Sequence, residues 1–173
     1  VTLQISGADQ WGNCIAGVDL IRRKTGKEAH VWTSPLVMNK STGKKFGKSE
    51  EGAVWLDPTQ TSPYKFYQFW LNVDDQGAGD YLKIFTELDK ADIDQVMLEF
   101  SKDRAGRAAQ KKLAYEVTKL VHGADQAKSQ VRIAEALAKQ SPDQLSGEEL
   151  AVIREEMPSI KTSAEPSVIE LLV

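Results

Sequence analysis

The pattern of apolar and polar positions changes character near residue 60 of the chain. Before that point, short runs with strand-like alternation are separated by one helical segment and by glycine-containing loops. Residues 1–5 alternate, a small-residue turn follows, and apolar positions at helical spacing then predict a helix over 9–24 with Asp9 as its N-cap. Two further strands are predicted, at 31–38, where Pro35 favours an edge or terminal position, and at 54–56. This part of the chain is typical of an α/β fold.

Beyond residue 60 the apolar positions recur almost throughout at helical spacing. Several helix starts are marked: Ser62 precedes a proline, Asp89 precedes a periodic run, and Ser146 begins a capping box with Glu149. We predict helices over 62–73, 79–87, 89–102, 105–122 (ending at Gly123), 125–139 and from 146 to near 158. The first is rich in aromatic residues, which favours core packing over a ligand site. The fold class is therefore predicted as α/β followed by all-α.

Composition limits the class of protein without naming a function. The 173 residues suffice for one or two domains, and 41% hydrophobic with 27% charged residues is ordinary for a globular protein. A net charge of -3 gives no global argument for nucleic acid binding, and the single cysteine, Cys14, excludes an intramolecular disulfide. No apolar run is long enough to span a bilayer, so no membrane partner is expected. We expect a cytoplasmic or organellar protein, and the apolar runs at both ends predict a fragment of a longer one.

The strongest candidate chemistry lies in Lys44-Lys45-Phe46-Gly47-Lys48-Ser49, where three lysines surround a glycine and no carboxylate occurs before Glu50. Clustered ammonium groups suit a nucleotide triphosphate, because fixed positive charge stabilises the charge that develops on leaving phosphates. A solvated basic loop is the alternative interpretation. The segment is not a P-loop, since only three residues separate Gly43 from Gly47 and a strand-like run, rather than a helix, follows.

Two other features bear on function and leave alternatives open. A strand, a small-residue turn and a helix with polar residues at its start form the layout of nucleotide sites in α/β sheets, but also of ordinary strand–helix connections. Residues 101–140 hold nine basic and four acidic side chains, which could contact a nucleic acid backbone or form a solvated face. His30 and His122 are isolated, so neither is assigned a role and no metal site is predicted.

Several motifs together resemble the bacterial-type tyrosyl-tRNA synthetases, which are class I aminoacyl-tRNA synthetases. The resemblance is carried by Gln4-Ile5-Ser6-Gly7-Ala8-Asp9-Gln10-Trp11-Gly12-Asn13 and by Lys45-Phe46-Gly47-Lys48-Ser49, which is similar to the mobile KMSKS-type loop of that family. It continues through 52–57, 61–72 and 116–123, and so covers nearly the whole chain. Tryptophanyl enzymes share the Asp-Gln pair and a lysine loop, but not Gln-Trp-Gly-Asn joined to a Phe-Gly form of that loop.

The resemblance implies a domain organisation. Residues 1–59 would be the C-terminal part of a Rossmann-like catalytic domain with the mobile lysine loop, and 60–157 a helical anticodon-binding domain. Residues 158–173 would be a linker and the start of an S4-like domain. The N-terminal half of the nucleotide site, most tyrosine-recognising residues and the surface of the family's homodimer are expected to lie outside the chain.

The resemblance also implies a reaction and its residues. Tyrosine would attack the α-phosphate of ATP, supplied with Mg²⁺, and the activated tyrosine would be transferred to tRNA(Tyr). Lys45 and Lys48 are expected to be catalytic, clamping the β- and γ-phosphates mainly in the transition state. Gln4 and Gln10 are expected to border the tyrosine pocket, and Asp74 to lie at a position associated with reading an anticodon base. The expected ATP-binding residues are Gly7, Asp9 and Gln10, at the ribose, with Lys45, Phe46, Gly47, Lys48 and Ser49.

The chain departs from the family pattern at two places. Ser6 stands where the family usually has glycine, and residues 31–35 replace the usual Gly-Leu-Thr-x-Pro. Two functions remain open: part of a tyrosine–tRNA ligase, or a non-catalytic tRNA-binding module of the same descent. The retained Lys45 and Lys48 favour the ligase, since RNA binding alone does not require the pair. With half of the site outside the chain, the isolated chain is expected not to form tyrosyl-adenylate.

Overall fold

The computed structural model describes residues 1–40, 43, 54–139 and 141–157, and the chain divides into two units after residue 53. The described part is mostly helical and contains one small parallel sheet. None of its helices is both long and apolar enough to cross a bilayer.

The first unit consists of a strand, a helix and a second, parallel strand. Strand β1 spans Leu3–Gly7, helix α1 spans Trp11–Thr25, and strand β2 spans His30–Ser34. The strands pair in parallel register from Leu3 opposite His30 to Gly7 opposite Ser34. Helix α1 ends at Gly26, whose left-handed backbone (φ 68°) has no steric cost for a residue that lacks a Cβ.

The start of α1 corrects one prediction. Residues Ala8–Gln10 form a 3₁₀ turn, so the α-helix begins at Trp11 and its N-cap is Gln10, which makes no side-chain cap hydrogen bond. Asp9 is therefore not the N-cap. Strand β1 continues to Gly7, so only Ala8–Gln10 connect it to α1, and these three residues adopt the tighter 3₁₀ geometry.

Two strand predictions were wrong. The strand predicted at 31–38 is shorter in the structure, and the one predicted at 54–56 is absent. Strand β2 ends at Ser34, before Pro35, whose missing N–H cannot continue a ladder. Residues 54–56 form no strand. Instead, the backbone N–H of Trp55 donates to Thr61 Oγ1 at 3.0 Å, and Asp57 Oδ1 accepts from the N–H of Thr59 at 2.9 Å, which holds this segment in a turn.

The second unit is built from six helices in its described part. They are α2 (Pro63–Leu71), α3 (Ala78–Phe85), α4 (Lys90–Lys102), α5 (Ala108–His122), α6 (Ala124–Lys139) and α7 (Gly147–Glu156). Helix α5 packs against α2, α3, α4 and α6, and it carries the fully buried Leu113 and Ala114. The aromatic helix α2 contributes Phe66, Tyr67 and Trp70 to this core, as predicted.

Local signals located most helix ends correctly. Ser62 Oγ accepts from the N–H of Lys65 at 3.3 Å, Asp89 Oδ1 accepts from the N–H of Asp92 at 2.8 Å, and Ser146 with Glu149 forms the capping box. Gly123 ends α5 with φ 90°. All four predictions are confirmed.

Helix α5 begins three residues later than predicted, at Ala108 rather than 105. Asp103 Oδ1 accepts from the N–H of Gly106 at 3.0 Å and holds a turn there. Arg107 follows in the left-handed region at φ 55°, which interrupts helical geometry. The prediction failed because the turn depends on a side-chain contact that helical periodicity does not reveal.

Candidate functional site

The first candidate site is the turn at the carboxyl end of β1. In parallel α/β sheets, ligands bind beyond the carboxyl ends of the strands, and the next helix presents its N-terminus there. Gly7 is the last residue of β1 and is extended (φ -71°, ψ 154°), and Ala8–Gln10 then turn the chain into α1. Gly7, Asp9 and Gln10 are thereby brought together at this end of the sheet, in the layout that the sequence predicted.

Gly7 lies where an added side chain would meet two neighbouring side chains. A Cβ built on Gly7 would lie 2.6 Å from Leu36 Cδ2 and 2.8 Å from Asp9 Oδ1, well inside van der Waals contact. The carboxylate of Asp9 therefore lies directly against the backbone of Gly7. This close approach, rather than an unusual backbone dihedral, explains the glycine.

A row of hydrogen bonds follows Asp9 along the surface. Gln10 Nε2 donates to Asp9 Oδ2 at 3.3 Å, and Asn13 Nδ2 donates to Gln10 Oε1 at 3.0 Å. All three side chains are exposed. The row fixes the orientation of the Gln10 amide and leaves a carboxylate at the surface, where it can accept hydrogen bonds from hydroxyl groups such as those of a ribose.

Asn13 is a residue to which the sequence prediction assigned no role. It lies three positions after Gln10 on the same helix face, a spacing at which side chains meet. That spacing was visible in the Gln-Trp-Gly-Asn motif. In the structure, Asn13 is the residue whose side chain holds the amide of Gln10.

Gln4 lies in a different place from Gln10. It borders a cavity of about 320 Å³ between β1, β2 and α1, together with Asn13, Cys14 and Val31. Gln10 does not line this cavity, although Asn13, its hydrogen-bond partner, does. Ser6 Oγ lies 3.4 Å from Cys14 Sγ at the same interface, so the serine that replaces the family's glycine contacts the helix.

The lysine loop lies outside the described residues. Lys45, Phe46, Gly47, Lys48 and Ser49 are therefore candidates on the strength of their sequence motif alone.

Asp74, the candidate anticodon-reading residue, has a clear structural role in the second unit. Its Oδ1 accepts from the N–H of Gly77 at 2.6 Å, which closes the turn between α2 and α3. Its Oδ2 is buried and has no hydrogen-bond partner among the described residues. The next residue, Asp75, is exposed and accepts from Gln110 Nε2 at 2.6 Å. One oxygen of Asp74 thus holds the turn, and the other is shielded from solvent.

A groove lies beside α5 and α6 in the described helical unit. Its volume is about 1,090 Å³. The side chains that line it include six basic residues, Arg107, Lys111, Lys112, Lys128, Arg132 and Lys139, and two acidic residues, Glu99 and Glu135. The positive charge of residues 101–140 is therefore concentrated, in part, on one surface.

The tyrosine beneath this groove is buried and protonated. Burial and the nearby charge of Glu135 raise the pKa of Tyr67 to about 12. The residue is 2% exposed and belongs to the core.

His122 is a core residue. Its ring packs edge-to-face on Phe66 with centroids 4.8 Å apart, and burial lowers its pKa. Neither histidine was assigned a role from the sequence. Among the described residues, no three of His, Cys, Asp and Glu cluster as a metal site would require.

Comparison with protein families identifies the class to which this fold and turn belong. The model of the class I tRNA synthetases for tryptophan and tyrosine matches residues 1–139, and the chain belongs to this family. Within it, the similar curated proteins are tyrosine–tRNA ligases. Those of Streptococcus thermophilus and Streptococcus suis are 50% and 49% identical over the whole of this chain. The chain spans 42% of the length of each.

Solved structures agree with this assignment. A C-terminally truncated mitochondrial tyrosyl-tRNA synthetase from Coccidioides posadasii matches 76% of this chain, with 32% identity and a TM-score of 0.61. The corresponding protein from Aspergillus nidulans matches 79%, with 31% identity and a TM-score of 0.60. In both cases the match covers 39% of the solved chain.

Proposed function

We propose that the chain is part of a tyrosine–tRNA ligase, which activates tyrosine with ATP and transfers it to tRNA(Tyr). The observation that carries the proposal is 50% identity to a tyrosine–tRNA ligase in an alignment that covers the whole of this chain. The geometry at the end of β1 supports it, because an exposed carboxylate and an oriented amide lie where α/β sheets bind nucleotides.

In this proposal Asp9 accepts hydrogen bonds from the hydroxyl groups of the ATP ribose. The absence of a side chain at Gly7 keeps the Asp9 carboxylate against the backbone. Gln10, oriented by Asn13, completes this edge of the site. Gln4 and Gln10 border the tyrosine substrate, Gln4 from the cavity beneath α1 and Gln10 from the turn above it.

The lysine loop supplies the positive charge for the chemical step. The tyrosine carboxylate attacks the α-phosphate of ATP–Mg²⁺, pyrophosphate leaves, and negative charge accumulates on the leaving oxygens. In this proposal Lys45 and Lys48 act on the β- and γ-phosphates, and Phe46 and Ser49 belong to the same ATP-binding motif. Gly47 allows the loop to close over the nucleotide. Charges that act mainly in the transition state raise kcat more than they lower the KM for ATP.

The proposed organisation follows the family. Residues 1–59 are the end of the Rossmann-like catalytic domain, 60–157 the helical domain that receives the anticodon stem, and 158–173 a linker and the start of an S4-like domain. Asp74 contributes to anticodon reading by holding the 74–77 turn. The protein acts in the cytoplasm as a homodimer whose contact surface lies outside this chain.

The 173 residues alone are proposed to be inactive. The ligases that the chain matches are more than twice as long, since the match covers 42% of each. We expect a polypeptide of only these residues to catalyse no tyrosine-dependent exchange of pyrophosphate into ATP. Exchange by that polypeptide would overturn this part of the proposal.

Replacement of the two lysines tests the assignment of the loop. In the protein that carries this chain, Lys45→Ala and Lys48→Ala are each expected to lower kcat of tyrosine-dependent exchange by about 10²–10³-fold, with a smaller change in KM for ATP. Lys27→Ala, an exposed lysine just after α1, is the matched control and should leave both constants near wild type. Equal losses in all three variants would remove the loop from the mechanism.

The non-catalytic alternative predicts a different outcome for the unsubstituted protein. A tRNA-binding module would show no exchange at all, yet would bind tRNA with an affinity that falls steeply as salt rises. The basic groove of the helical unit is the feature that suits this alternative.

A further inference from the structure

We propose that Asn13 is a positioning residue of the tyrosine site, which acts by fixing which end of the Gln10 amide is offered to the substrate. The inference rests on the proposed function, in which Gln10 borders the tyrosine substrate. It is carried by the direction of two hydrogen bonds at the start of α1, one from Asn13 to Gln10 and one from Gln10 to Asp9.

The direction of these hydrogen bonds is determined from the Asp9 end. A carboxylate only accepts hydrogen bonds, so the group that contacts Asp9 Oδ2 at 3.3 Å must be Nε2 of Gln10. The carbonyl oxygen of the same amide then points to Asn13, 3.0 Å away, and needs a donor there. Asn13 supplies that donor through Nδ2. Each of the three side chains thus has the chemistry that its neighbour requires.

The same donors and acceptors determine what Gln10 can offer to a substrate. A glutamine amide has two N–H donors and one oxygen. Asp9 takes one donor, Asn13 holds the oxygen on its own side, and Gln10 makes no other side-chain hydrogen bond within the described part of the chain. The second N–H of Nε2 is the group left for a substrate. Gln10 therefore selects an oxygen acceptor over an ammonium group.

A reversed amide would change that selection. With an acceptor at position 13, Gln10 could form this hydrogen bond only by turning Nε2 toward residue 13, and Oε1 would then face the Asp9 carboxylate. With no polar side chain at position 13, the orientation would depend on the contact to Asp9 alone, which is exposed and 3.3 Å long. Asn13 is therefore the residue that removes the second orientation of the amide.

The energetics of α1 separate this role from a structural one. Asn13 is the third residue of the helix, which begins at Trp11, and it is exposed. At such a position alanine is a better helix former than asparagine, and aspartate interacts favourably with the helix dipole. Helix stability alone therefore predicts that neither replacement harms the protein. The positioning role predicts that both lower its activity.

The test measures activity and stability together, in Asn13→Ala and Asn13→Asp of the protein that carries this chain. In tyrosine-dependent exchange we expect kcat/KM for tyrosine to fall about 3–10-fold in the alanine variant, as for the loss of one hydrogen bond, with a smaller change in KM for ATP. The aspartate variant should lose more than the alanine variant, because an oxygen then faces a carboxylate in either orientation of Gln10. Urea unfolding should show no loss of stability in either variant.

Asp19→Ala is the matched control. It removes an exposed pair, Asp19 with Arg22, of the same i,i+3 spacing on the same helix. We expect kcat/KM for tyrosine to stay within about twofold of wild type, since surface pairs of this kind contribute little.

A double-mutant cycle with Gln10→Ala shows whether Asn13 acts through Gln10. If it does, Asn13→Ala should cost less than about twofold once the Gln10 amide is absent, because the two side chains act as one unit. An equal cost in the presence and absence of Gln10 would disprove the proposal. The order of the alanine and aspartate variants does not depend on this cycle, so it decides the question even if Gln10→Ala is too slow to measure.

Two other results would contradict the proposal. One is an Asn13→Asp variant as active as wild type. The other is a loss of activity that parallels a loss of stability in both variants, which would make Asn13 a structural residue. Absence of exchange in the unsubstituted protein would instead contradict the ligase proposal. The orientation of Gln10 is then followed by its side-chain amide signals in NMR spectra, which should move in Asn13→Ala and not in Asp19→Ala; signals that stay in place would remove Asn13 from this role.

Discussion

Because Gly7 has no Cβ, the carboxylate of Asp9 can lie close to its backbone. Neither atom that would contact an added Cβ belongs to the backbone: one is Leu36 Cδ2 and the other is Asp9 Oδ1. A methyl group could therefore be accommodated only by displacing those side chains. The position of Asp9, which we propose to bind ribose, is consequently tied to the identity of residue 7.

This gives a direct prediction for Gly7→Ala. We expect a loss of no more than about 1 kcal/mol in the free energy of unfolding, because the added methyl group meets only the ends of the Leu36 and Asp9 side chains, which can rotate away. The KM for ATP should rise, because the Asp9 carboxylate is pushed away from its place. Urea unfolding and exchange kinetics measure the two effects.

Gly17→Ala is the matched control for that substitution. Gly17 lies inside α1, and a Cβ there would have no neighbour within 4 Å. Alanine should raise stability by about 0.5–1 kcal/mol, because glycine is the poorer helix former. If Gly7→Ala behaved like Gly17→Ala in both assays, the close packing of Asp9 against residue 7 would be disproved.

The sequence motif identified candidate residues, but it did not predict the hydrogen bonds that their side chains make. Gly7, Asp9 and Gln10 are close in sequence and lie at one turn of the structure, and their assignment to a nucleotide site stays a prediction. The motif could not predict that Asn13 orients Gln10, or that Asp74 uses Oδ1 to close a turn. Such hydrogen bonds depend on side-chain rotamers, which a list of residue types does not determine.

Among the elements, α7 depends most clearly on a single buried charge. Glu149 is 4% exposed and accepts hydrogen bonds from Arg132 Nε at 2.7 Å, from Ser129 Oγ at 3.2 Å and from the N–H of Ser146 at 3.0 Å. Burial alone would raise the pKa of Glu149, but the hydrogen bonds from Ser146 and Arg132 together lower it below its ordinary value. One carboxylate thus caps α7 and attaches it to α6.

The lowered pKa sets the direction of a pH effect. The charged form of Glu149 contributes its full stabilisation above the ordinary carboxyl pKa of 4.5, and that contribution is lost as the pH falls through the lower value of the folded protein. Glu149→Gln should cost about 1–3 kcal/mol at neutral pH, because a charged, buried acceptor is lost. The stabilities of wild type and variant, measured by urea unfolding from pH 7 to pH 3, should converge at the acid end.

Glu135→Gln supplies the comparison. Its partner Lys139 lies 3.5 Å away, and both side chains are more than half exposed. We expect a cost of no more than about 0.5 kcal/mol, as for other exposed pairs at this helical spacing. A difference between wild type and Glu149→Gln that does not change with pH would contradict the account of the buried carboxylate.

Among the secondary-structure elements, the features predicted correctly are those formed by residues close together in sequence. The caps at Ser62, Asp89 and Ser146 were predicted from the sequence because each is formed by residues within three positions. The strand predicted at 54–56 does not exist, since its backbone bonds to Thr61 instead of to a neighbouring strand. Apolar residues there satisfied a pattern, but a strand also needs a partner, which no local pattern supplies.

For the molecule as a whole, the family match covers both parts of the predicted element order. A strand–helix–strand unit precedes a helical unit, and the class I tRNA synthetase model extends from the first into the second, over residues 1–139. In the first unit, Ile5 and Trp32 are each 65% exposed, so the described residues of that unit leave one face of its parallel sheet uncovered. Parallel sheets are normally covered on both faces.

The central claim is that this family member activates tyrosine. The most direct measurement is amino-acid-dependent exchange of labelled pyrophosphate into ATP by the protein that carries this chain, with tyrosine, tryptophan and phenylalanine supplied in turn. We predict exchange with tyrosine that exceeds the exchange with either of the other two by several orders of magnitude. Exchange driven by tryptophan, or none with any of the three, would contradict the assignment.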